Sequence, residues 1–102
     1  MSALAVIIIG PDLNRGLAAL SLAACAAAQG TEVTLLFDRA SVALLADPRL
    51  AEGLDTARAL GVEVTACATG VADGGIMLPG GVASGGMMAF LAATADARLV
   101  PV

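Results

Sequence analysis

Residues 3–9, Ala-Leu-Ala-Val-Ile-Ile-Ile, form an unbroken apolar run rich in β-branched side chains. A strand with one wet face alternates polar and apolar residues. An unbroken run instead marks a strand buried on both faces, which points to a parallel sheet covered by helices. Gly10-Pro11 ends the run, and Asp12 or Asn14 then offers a helix N-cap. The helix continues to about Gln29, apolar nearly all round, with Gly30 placed where a C-terminal glycine belongs.

The same alternation continues to the end of the chain. Thr31–Phe37 reads as a second strand. Residues 38–46 read as a short helix with Ser41 as its cap. Asp47-Pro48 opens another helix, closed by Gly61, because proline suits the first helical turn. Val62–Ala66 reads as a third strand, followed directly by Cys67. Residues 68–81 are dense in glycine and small residues, which predicts a mobile loop. Val82-Ala83 reads as a very short strand, Ser84 as the cap of a last helix to about Thr94, and Arg98–Val102 as the closing strand. Strands alternating with helices imply right-handed crossovers. The expected fold is a single α/β domain over residues 1–102, three-layered α/β/α, with a mostly parallel four- to five-stranded sheet. The expected strand order is 2-1-3, with the last strand outside the third. Ligands bind such sheets where the order reverses, beyond the carboxyl ends of the strands. On that order, Gly10–Arg15 and Cys67–Gly70 meet at the reversal.

Composition removes many chemistries. The chain has no His and no Lys. A Cys–His or Ser–His nucleophile pair therefore cannot form within one chain, and neither can a Walker-type phosphate loop or a lysine Schiff base. Two isolated cysteines make no structural zinc cluster, so no metal and no cofactor is expected. Phe37 and Phe90 are the only aromatics and the net charge is −4, a poor match to nucleic acid, which calls for clustered cations and stacking platforms. No run reaches the roughly 18 apolar residues of a membrane span. With no secretory signal and no disulfide-rich pattern, a reducing cytoplasm is the expected location. The hydrophobic fraction of 59% exceeds the roughly 45–50% usual for soluble domains, which predicts subunit contacts.

The candidate for chemistry is Cys67. The opening of the first helix and Arg15 would together stabilise an anion at its sulfur. Gly10, Asp12 and Asn14 on that side, and Thr69 and Gly70 after the cysteine, complete the candidate binding set. Cys25 sits among alanines and reads as a buried core residue. Asp12 reads as a cap rather than a base. The glycines from Gly74 to Gly86 match no dinucleotide-binding spacing. Met77, Met87 and Met88 read as core filling or as an adaptable contact surface.

Three stretches carry a family resemblance. They are the apolar strand with Gly10-Pro11-Asp12-Leu13-Asn14-Arg15 and its helix, Gly30-Thr31-Glu32-Val33-Thr34-Leu35-Leu36-Phe37, and Leu60-Gly61-Val62-Glu63-Val64-Thr65-Ala66-Cys67-Ala68-Thr69. Together with Leu78-Pro79-Gly80-Gly81-Val82 they resemble the DsrE/DsrF-like family of small sulfur-relay proteins, which includes TusD- and YchN-related members. The resemblance implies a parallel α/β fold and homo-oligomers, trimers or hexamers. It also implies a persulfide carried on the cysteine that Cys67 matches, with sulfur-donor and sulfur-acceptor proteins as partners. Some relatives place a second cysteine or a basic residue just after this position, where this chain has Ala68-Thr69-Gly70. Others lack the cysteine altogether. Two roles therefore stand open: a sulfur carrier or sulfurtransferase, and a non-catalytic interaction or small-ligand-binding subunit of the same fold.

Overall fold

The computed structural model describes residues 2–102. Five strands, β1 (Ala3–Ile8), β2 (Glu32–Phe37), β3 (Glu63–Cys67), β4 (Ala83–Gly85) and β5 (Arg98–Pro101), form one sheet, every neighbouring pair parallel. Four α-helices join them: α1 (Leu13–Ala28), α2 (Ala51–Ala59), α3 (Ala68–Gly74) and α4 (Met87–Ala93). Two 3-10 segments, Ser41–Ala46 and Pro48–Leu50, lead from β2 into α2.

The expected fold class is the one found, but the strand order is not. The sheet runs β4-β3-β2-β1-β5, so β2 and not β1 is central, and the closing strand pairs with β1 rather than lying outside β3. The crossovers account for the layers. From β1 to β4 each connection steps one place in the same direction. Right-handed crossovers then put α1, α2 and α3 on one face. The connection from β4 to β5 travels back across the sheet, and the same handedness throws α4 onto the opposite face.

The two faces are filled unequally. Val6 and Ile8 of β1, Val33, Leu35 and Phe37 of β2, and Val64 and Ala66 of β3 join Ala19, Leu20, Ala23 and Leu54 in a large core on the α1 side. The other face holds a small cluster of Ala5, Ile7, Leu36 and Phe90. Successive strand residues point to opposite faces, so β1, apolar throughout, feeds both clusters, whereas β2 and β3 turn Glu32, Thr34, Glu63 and Thr65 toward the thinly filled face.

Helix α1 begins and ends as its sequence dictates. The Asp12 carboxylate accepts the Arg15 backbone N–H at 3.0 Å, and Gly30 follows the cap at φ +89°. Its buried stripe is Gly16, Ala19, Leu20 and Ala23. Cys25 lies two residues past Ala23, about 200° around the helix axis, and is exposed. That corrects the expectation of a buried Cys25. The expected mobile loop is corrected too: Ala68–Gly74 is helical, ended by Gly75 in the left-handed conformation. The last helix is capped by Gly86, while Ser84 lies within β4.

Candidate functional site

The carboxyl edge of the sheet carries, in spatial order, Gly85, Cys67, the Asp38 turn, Gly10 and the end of β5. Cys67 is the last residue of β3 and the N-cap of α3, and its side chain makes no capping hydrogen bond. The first N–H groups of a helix have no partner within it. The thiol is therefore held where backbone donors emerge. It is partly buried, packs on the margin of the larger core, and pairs in register with Gly85 of β4.

The turn after β2 was not singled out from the sequence. The Asp38 carboxylate accepts backbone N–H groups from Gly10 (3.3 Å), Ala40 (3.1 Å) and Ser41 (2.7 Å). Ser41 is wholly buried, and its hydroxyl donates to the Ile8 carbonyl at 2.8 Å. These bonds sew the end of β1 to the end of β2. The signal was present as Asp38-Arg39-Ala40-Ser41, an acidic residue three positions before a small polar one at a strand end.

The same turn holds α3. A Cβ at Gly70 would come within 2.5 Å of the Arg39 carbonyl oxygen and 2.8 Å of Val42, so α3 can lie this close only because residue 70 is glycine. Arg39 also forms an exposed ion pair with Asp73 of α3.

The expected constellation therefore separates into two parts. Cys67, Thr69 and Gly70 stand together at the end of β3 and the start of α3, with Thr69 exposed and Gly70 buried. Gly10, Asp12, Asn14 and Arg15 stand two strands away, about 10 Å at the spacing of neighbouring strands, with the Asp38 turn between them. The reversal of strand order lies at β1 and β5, so Gly10–Arg15 occupies it and Cys67 does not. Asp12 is spent as a cap, and Asn14 and Arg15 are exposed. The arginine that neighbours the Cys67 side is Arg39. Among the described residues no group of three His, Cys, Asp or Glu could hold a metal ion. No described helix is long and apolar enough to cross a membrane.

No protein-family model and no curated protein matches the sequence. Solved structures do match. YchN from E. coli superposes with a TM-score of 0.85, covering 100% of both chains at 18% identity. This is the YchN fold. A conserved protein of unknown function from Bacteroides thetaiotaomicron shares it, with a TM-score of 0.78 at 14% identity over 97% of this chain and 94% of that one. At such identities the likeness is one of architecture. It agrees with the resemblance in sequence, because the YchN fold is the parallel α/β arrangement which that resemblance implies.

Proposed function

We propose that this protein is a small sulfur carrier that holds a persulfide on Cys67 and relays it to a partner thiol. The observation that carries the reading is the seat of Cys67: a free thiol at the end of β3, uncapped at the opening of α3, in a chain whose fold is that of YchN. In the loading step the Cys67 thiolate attacks the terminal sulfur of a donor persulfide. A new S–S bond forms at Cys67, the donor S–S bond breaks, and the donor leaves as a thiolate. The passing step repeats this exchange with an acceptor thiolate. Neither step has a net oxidant or reductant, and neither needs an acid–base residue beyond thiolate chemistry, which suits a chain without His or Lys.

The reading includes a homo-oligomer, trimeric or hexameric, working in the cytoplasm with donor and acceptor proteins. Exposed Leu22, Leu60, Met88, Leu91 and Leu99 support self-association, and a light-scattering mass of a single chain would count against it. A second reading, a non-catalytic binding subunit, is favoured by one feature: Cys67 leans on the larger core and lines none of four surface clefts.

Intact mass after treatment with a persulfide donor separates the two. Cys25 is the more exposed thiol and is open to non-specific loading, so the deciding step is delivery. The Cys25→Ser protein is expected to gain one sulfur and pass it to an acceptor thiol, and the Cys67→Ser protein to pass none. A Cys67 that reacts with an alkylating agent yet never carries sulfur leaves the binding-subunit reading in place.

A further inference from the structure

The α4 face of the sheet is only partly covered. A groove of about 510 Å³ runs beside α4, with Thr34 and Thr65 on its sheet side and Phe90 and Ala93 on its helix side. It reaches from Glu32, Glu63 and Asp96, at the amino ends of the strands, to Gly85 and Gly86. Along β3 that is the length from Glu63 to Cys67, about 13 Å at 3.3 Å per residue. Gly85 is the registered neighbour of Cys67, so the far end of the groove lies one strand spacing, about 4.8 Å, from the Cys67 backbone, while the thiol itself leans on the larger core.

The groove has a definite charge. Glu32, Glu63 and Asp96 line it, and neither ion pair among the described residues involves any of them. Arg58 lies with Glu63 in a separate cleft at the β3–β4 edge, where its guanidinium packs against Gly81, and Arg98, two residues after Asp96, is registered with Leu4, whose side chain belongs to the α1-side core. The apolar wall consists of small side chains and one phenyl ring. Carboxylates at one end, hydroxyls on the floor and a shallow apolar wall complement a segment bearing cations and small apolar residues. A second copy of this chain brings its own net charge of −4 and matches less well.

We propose that this groove is a docking track for a basic segment of a partner protein, and that it leads that segment to Cys67. The docking surface goes beyond the sulfur-relay reading and rests on it only for what happens at the thiol. Binding and loading are therefore measured separately, so failure of one does not mimic failure of the other.

The probe is a fluorescein-labelled peptide of alternating Ala and Arg, about eight residues long so that it overruns the groove at 3.3 Å per residue. An Ala/Glu peptide serves as control. Fluorescence anisotropy is read with the full chain carrying Cys25→Ser. The Ala/Arg peptide is expected to bind, less tightly as salt rises, and to slow alkylation of Cys67. The pair Glu32→Gln and Glu63→Gln is expected to weaken binding about tenfold, the sum of two rim charges. Glu52→Gln, on the α1–α2 side, is expected to leave it unchanged. Ala89→Arg, which sets a cation in the groove, is expected to abolish it, and circular dichroism checks that each variant is folded. Four results of the peptide assays would each overturn the proposal. They are no binding of the Ala/Arg peptide, equal binding of both peptides, equal losses from Glu52→Gln and the groove pair, and full Cys67 reactivity at saturating peptide. A groove pair that changes the oligomeric mass while peptide binding stays the same would assign this face to self-association instead, and would also overturn it.

Discussion

At Gly70 two opposing effects meet, and their sizes decide the outcome. Alanine in a helix interior is favoured over glycine by about 1 kcal/mol. A Cβ here, however, would sit 2.5 Å from the Arg39 carbonyl oxygen and 2.9 Å from its Cα. Both are backbone atoms and cannot simply rotate away. Overpacking of this kind costs about 1–3 kcal/mol, so Gly70→Ala is expected to lower the urea midpoint despite its better helix propensity. An unchanged or higher midpoint would mean that α3 moves freely off the β2 turn. Ser41 gives a milder case. Its hydroxyl donates to the Ile8 carbonyl, but that carbonyl also accepts the Asp38 backbone N–H at 3.1 Å. Ser41→Ala thus strands no acceptor, and its expected cost is about 0.5–1.5 kcal/mol, that of one ordinary hydrogen bond. The two thiols differ in exposure: Cys25 is exposed and Cys67 half-buried. Peptide mapping after brief iodoacetamide treatment is expected to find Cys25 modified first. The opposite order would show that the seat of Cys67 at the opening of α3 outweighs its burial.

Among the elements, those with strong punctuation could be read from the sequence and those without it could not. Helix α1 is bracketed by Asp12 and Gly30, and both act as their chemistry predicts. Which side of α1 faces outward was marked only by Asn14, Arg15 and Ser21 among the alanines and leucines; Ser21, four residues before Cys25, shares its exposed side, a signal the run of alanines around Cys25 outweighed. Helix α3 was hidden by Gly70, Gly74 and Gly75, which locally argue for a loop. Only its tight seat against Arg39 explains the first of them, and only the left-handed cap the third. Strand order was not readable either. The unbroken apolar run of β1 marks both its faces as covered, but no strand's pattern shows on which side the next crossover lands. Cys67 was found as the strand-end residue it is, with Thr69 and Gly70 beside it, whereas Gly10, Asp12, Asn14 and Arg15 lie two strands away along the same edge. A test at this scale concerns the 3-10 segment Pro48–Leu50. There the Arg49 guanidinium, and next its backbone N–H, hold the Asp47 carboxyl below its ordinary value of 3.8. The folded carboxyl titrates below the unfolded one, so its stabilisation is present above the unfolded pKa. It is lost as pH falls through the folded value. Carboxyl chemical shifts are expected to place the Asp47 midpoint below 3.8, and Arg49→Ala to move it upward.

For the molecule as a whole, the imbalance between the two cores predicts where it opens first. The α1 side joins residues from β1, β2, β3, α1 and α2 into one cluster, which can break only if most of the chain unfolds. The α4 side depends on Phe90, set against Ala5, Ile7 and Leu36. Phe90 is the only side chain of α4 that is buried, and Met88 on the same helix is 86% exposed. Truncating a buried phenylalanine costs about 3–5 kcal/mol, a large share of the roughly 5–15 kcal/mol that holds a domain folded. That cost falls on α4, because Ala5, Ile7 and Leu36 stay fixed by strand pairing and by the core behind them. Native-state hydrogen exchange is therefore expected to find the slowest amides in β1 and β2, and α4 exchanging by local opening. Phe90→Ala is expected to speed exchange in α4 about a hundredfold or more, the factor that 3 kcal/mol represents, while β2 amides change much less. If β2 and α4 accelerate by the same factor, the two faces unfold as one unit and the division into a dominant and a dependent core is wrong.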